Sequence, residues 1–200
     1  MTMDRIDEII SESIRYVLNE SSFDGSKVFV SYLKKKFHPK DVTGIRIQDF
    51  SDVPYFDKCR GGLWACPVDT VYGWDDFCRG QEFSRGGNKF YFRLRPEAKI
   101  YAINNEDDYL RVATKKCYGG VNCYIDFEKL LRKGYDGIYV SSEAIAQCGD
   151  SMYGFMKHGH AHGLDGWDVE SICIFNPDVI FPISSEDVGE YSGGFREGMW

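Results

Sequence analysis

Hydrophobic residues recur at two different periods, and the change of period divides the chain. Over 4–19, Ile6, Ile9, Ile10, Ile14, Val17 and Leu18 fall at helical spacing, with Asp, Glu, Ser and Arg between them. A polar break runs to Gly25. Over 26–37, Val28, Phe29, Tyr32 and Leu33 share one helical face, and Lys34, Lys35 and Lys36 close the segment where lysines complement a helix dipole. A second helix is expected there. The pair predicts a helical appendage over 1–40.

From Val42 the texture turns to strands. Residues 43–50 alternate, 61–66 form a short apolar run entered through glycines, and 89–95 set Phe90, Phe92 and Leu94 against Lys89, Tyr91 and Arg93. Further strands are expected at 98–103, 135–140, 171–175 and 179–183. Helices are expected at 69–80, 106–113 and 125–133. A glycine- and histidine-rich loop occupies 148–166, and 185–200 reads as a polar tail. Short strands mixed irregularly with helices predict an α+β domain over 41–184.

Composition narrows the function class. A net charge of −7 disfavours coating of nucleic acid, which needs a basic face. The seven cysteines include no Cys-x-x-Cys pair, which fits reduced thiols in a cytoplasmic protein. Acids early in the N-terminus argue against a secretory signal, and no apolar run reaches the length of a membrane span.

The segment 167–183 carries the first chemical signal. Asp168 and Glu170 stand two apart, so on a strand they share a face, where paired carboxylates divide orienting and proton-transfer roles. Spacing alone favours an ordinary solvent-facing acid pair at a strand start. The second signal is 61–74, where a glycine-entered strand with Gly62, Leu63, Trp64 and Ala65 is followed by Tyr72 and Trp74. That arrangement makes a flat slot for a planar ring, although Trp64 also suits ordinary core packing. Cys66 lacks a placed histidine partner and reads as a buried structural thiol. His158, His160 and His162 alternate in the loop, but no Cys or carboxylate spacing completes a metal site, and none is expected.

In these motifs the chain resembles ADP-ribosyltransferases. A Glu entering a strand, then Asn176-Pro177 and an apolar run to Pro182, is similar to the end of that catalytic domain. The 61–74 segment is also similar to one in phage-type proteins. The resemblance implies split antiparallel β-sheets around an NAD cleft, with NAD as substrate. It implies Glu170 on the nicotinamide ribose and Asp168, a shorter substitute for the usual Glu or Gln, on the acceptor. It implies Gly62, Leu63, Trp64, Ala65, Tyr72 and Trp74 around the nicotinamide, and Arg46 with Gln48 toward the diphosphate. The Gly expected after Arg46 is replaced by Ile47. Tyr153, Phe155 and the three loop histidines would meet a macromolecular acceptor, expected to be a host protein. The expected activity is mono-ADP-ribosyl transfer. The alternatives are an NAD glycohydrolase and a non-catalytic interaction module with the same fold.

Overall fold

The computed structural model describes residues 23–44, 58–84, 86–114, 124–149, 164 and 166–188. The first strand, β1 (Phe29–Leu33), lies in the segment expected to be the second helix. The correction has a physical cause. Phe29 is buried on one face of the sheet and Val30 on the other, so the strand opens on the apolar run Val28-Phe29-Val30 rather than on an alternation. Such a run cannot be told from a buried helix by period alone. The strand therefore belongs to the main sheet and not to an appendage. The helix expected over 4–19 lies outside the described residues.

The other strands of the main sheet are β2 (Leu63–Pro67), β3 (Asn88–Leu94), β4 (Ile100–Ile103), β7 (Gly137–Val140), β8 (Ser171–Ile174) and β9 (Ile180–Pro182). Two short strands, β5 (Ala113–Thr114) and β6 (Tyr124–Ile125), pair separately. Spatial order in the seven-stranded sheet is β4-β7-β8-β2-β1-β3-β9. Every neighbouring pair is antiparallel except β4 and β7, which are parallel. Consecutive strands β3 and β4 thus sit in opposite halves of the sheet, yet Leu94 and Ile100 share one core. The sheet curls on itself: one continuous curled sheet stands where two small packed sheets were expected, and the α+β class holds.

Pairing register sorts the side chains onto two faces. Trp64 opposes Cys173, which opposes Ile138, and all three face one core. Helices α2 (Glu106–Val112), α3 (Phe127–Arg132) and α4 (Ser142–Cys148) cover that core with Tyr109, Val112, Phe127, Leu130, Ala144 and Cys148. The opposite face carries Phe29, Leu63, Phe92, Tyr139, Ile172 and Ile174 into the second core, inside the curl. Helix starts follow their caps: Asn105, Asp126 and Ser141 each accept a backbone N–H three residues on, which satisfies a donor the first turn leaves unpaired. α4 was not expected from the sequence, although Ser141 ahead of Ala144, Ile145 and Cys148 was its signal.

α1 (Trp74–Gly80) starts later than the helix expected over 69–80. The residues before it form a loop, so Val71 lies fully exposed instead of on an apolar helix face. At the other end of the described chain, Val188 is buried, so the segment read as a polar tail has an anchored residue at its fourth position.

Candidate functional site

Glu170 sits immediately before β8 and is 8% exposed. Its carboxylate gathers donors from three parts of the chain. Oε1 accepts from the Tyr139 hydroxyl on β7 and from Lys27 Nζ, 3.4 Å away just ahead of β1. Among the described residues, Oε2 accepts only from Thr70 Oγ1, at 3.3 Å. Lys27 also lies 3.8 Å from Asp69 Oδ1. Ser171 pairs with Val140 and faces the helix-covered side, and Glu170, one residue ahead of the strand, is held toward the other side by Tyr139 and Lys27. Burial first, and then the bond to Glu170, push the Tyr139 hydroxyl well above the usual tyrosine range, so it stays a donor.

The carboxylate borders a cavity of about 350 Å³, with Lys27, Asp69, Thr70, Tyr72 and Asp168 also in its walls. Asp168 is exposed and held by Lys58 Nζ at 3.3 Å. The two acids do not share a strand face as their spacing led us to expect, because the strand begins only at Ser171. They border the same cavity at different depths, one buried and one on the rim.

Beyond the wall made by Asp168 and Val169 lies a second cleft of about 320 Å³. Tyr32, Lys58, Trp64, Ala65, Cys66 and Trp74 line it. Trp64 is fixed by its Nε1–H donating to the Gly61 carbonyl at 3.2 Å and by Trp167, whose ring lies 4.9 Å away. Trp74 stacks on Phe77 at 5.3 Å. Beneath them, Cys59 and Cys173 bring their sulfurs to 3.6 Å. Burial pushes the Cys66 thiol up, and burial with Cys59 alongside pushes Cys173 up well beyond the ordinary range. These are packed thiols and not nucleophiles.

The structure therefore brings Trp64, Ala65, Trp74 and Asp168 to one cleft, and Tyr72, Asp168 and Glu170 to its neighbour. Gly62 and Leu63 line neither. Gly62 holds φ +73° with its backbone against β8, where a Cβ would stand 2.7 Å from Cys173 Sγ, and Leu63 points into the second core. Arg46, Gln48, Tyr153, Phe155, His158, His160 and His162 lie outside the described residues.

Six side chains of the site were not found from sequence: Lys27, Tyr32, Lys58, Asp69, Thr70 and Tyr139. Lys27 and Thr70 were hidden inside segments expected to be helical. Tyr139 lay in the segment 135–140, expected only as a strand. That strand is β7. Asp136 accepts from Lys99 N and Asn176 Nδ2, each at 2.8 Å, which ties β4 and the β8 exit to β7. A Cβ on Gly137 would meet the Cys173 carbonyl at 2.8 Å.

Among the described residues, no group of three or more His, Cys, Asp or Glu is placed to hold a metal ion, and no helix is long and apolar enough to cross a membrane. No family model, no curated protein and no solved structure matches this chain.

Proposed function

We propose that the chain is an NAD-dependent mono-ADP-ribosyltransferase acting on a macromolecular acceptor, a host protein, with Glu170 as its central carboxylate. One observation carries the reading. Among the described residues, Glu170 Oε1 is anchored by Tyr139 and Lys27, whereas Oε2, on the wall of a ligand-sized cavity, has a single long bond to Thr70. A carboxylate fixed on one oxygen and loosely held on the other is prepared to take a ribose hydroxyl and to face the positive charge that develops as a glycosidic bond breaks. In this reading the nicotinamide ring enters the Trp64–Trp74 cleft, and its ribose passes over the Asp168–Val169 wall toward Glu170. Asp168, on the shared rim, is placed to orient the acceptor.

A second reading rests on the same carboxylate. Its donors come from ahead of β1, from the loop after β2, and from β7, so Glu170 also ties the sheet together. A chain that kept this tie without binding NAD would be an interaction module.

Incubation with labelled NAD and a cell lysate separates these readings. Wild type is expected to label a macromolecule, and Glu170→Gln is not. Equal labelling by both proteins would remove Glu170 from the chemistry. Release of free ADP-ribose without labelled protein would identify a glycohydrolase. No label, no free ADP-ribose and no heat of NAD binding would leave the interaction module.

A further inference from the structure

The Trp64 cleft already contains a cation belonging to the chain. Lys58 Nζ lies 5.5 Å from the Trp64 ring centroid and 3.3 Å from Asp168 Oδ2. Tyr32, Trp64 and Trp74 supply aromatic walls, and Asp168 supplies the negative group on the rim. Lys89 Nζ lies 5.7 Å from the ring centroid of Tyr32, so a second wall residue also draws an ammonium to its face. Aromatic faces are electrostatically negative, and a carboxylate beside them completes an environment for positive charge. Lys58 and Asp168 are each about one-third exposed, at 31% and 33%, so their pair is weakly held and the lysine stem can swing into water at small cost.

We propose that this cleft is a site for an organic cation, a planar ring with its charge on nitrogen, and that Lys58 is an internal occupant which the ligand displaces. The inference deepens the reading of the same cleft as a ring slot, but it needs no bond to be cleaved there. An N-substituted pyridinium, such as the nicotinamide of oxidised NAD, meets the requirement. Free nicotinamide does not. Cleavage returns the bonding electron pair to the ring nitrogen and neutralises the ring, so a cation-selective slot holds the reactant and releases the product.

The test titrates the full-length protein with nicotinamide and, separately, with its N-methyl cation, following tryptophan fluorescence and calorimetry at fixed ionic strength. The cation is expected to bind about five- to twentyfold more tightly than the neutral ring. Lys58→Met, which keeps the stem and removes the charge, should raise the cation's affinity about threefold or more. Asp168→Asn should bring the two affinities together. Circular dichroism confirms that each variant is folded. Equal affinity of wild type for both ligands, or weaker cation binding by Lys58→Met, overturns the charge preference and leaves the ring slot standing. Binding of neither ligand overturns the cation site and the slot together, while the Glu170→Gln labelling experiment still judges the transfer reaction by itself.

Discussion

Removing the bond between Tyr139 and Glu170 gives a sharp test of how this site is held. The Glu170 side chain is 10% exposed and Tyr139 is 5% exposed, so little water is available to replace either partner. A hydrogen bond to a charged group contributes about 1.5–3 kcal/mol. Tyr139→Phe deletes the hydroxyl but leaves Lys27 and Thr70 on the carboxylate, so its cost should fall in that range. For a chain of this length that is roughly a 3–12 °C fall in Tm. Glu170→Leu is worse. It strands the Tyr139 hydroxyl in the core and, among the described residues, leaves Lys27 with only Asp69 at 3.8 Å, and breaking a buried pair from one side costs about 3–5 kcal/mol. The double variant no longer buries an unpaired hydroxyl. Its loss should be smaller than the sum of the single losses by about 1.5–3 kcal/mol. Urea unfolding of the four proteins, followed by circular dichroism and tryptophan fluorescence, measures this coupling. A value below about 0.5 kcal/mol would refute the argument that the two side chains depend on each other.

The same tyrosine sets a pH dependence. Its folded proton affinity is raised, so its contribution is complete below the unfolded tyrosine value of about 10 and is lost as pH climbs above it. Wild type should therefore lose stability more steeply above that pH than Tyr139→Phe, and parallel pH profiles of the two proteins would contradict the assignment. Gly62→Ala should destabilise by about 2–5 kcal/mol, since a side chain there meets both a left-handed backbone and the wall of β8. Thermal unfolding of soluble Gly62→Ala with an unchanged Tm would show that β8 can yield. Cys148 and Cys173 are fully buried in the helix-covered core, so a thiol reagent should label them only on unfolding. Peptide mapping that found either of them modified in the native protein would contradict the packing.

The half-buried strands were legible because one face meets the core and the other meets water. Phe92 and Leu94 are buried on β3, with Arg93 exposed between them, as the alternation required. The capped helices α2 and α3 were legible from their apolar spacing. β1 was not, because burial on both faces erases the alternation that distinguishes a strand. The site divides in the same way. Glu170, Trp64 and Trp74 stood out as residue types in suggestive company. Lys27, Thr70 and Tyr139 meet Glu170 from 143, 100 and 31 residues away in the chain. No local pattern encodes contacts at such separations.

The sequence by itself determined the α+β character, the positions of most strands after residue 60, and the presence of a carboxylate entering β8, because these follow from periods and caps that neighbouring residues set. Only the tertiary structure decided the rest. It placed β1 in the interior of the sheet, curled that sheet until β3 and β4 share a core, buried Glu170 while leaving Asp168 on the rim, and put Trp64 and Glu170 on opposite sides of a two-residue wall. Each of these outcomes depends on which distant strand lies alongside, and strand register, once chosen, fixes the face that every side chain must take.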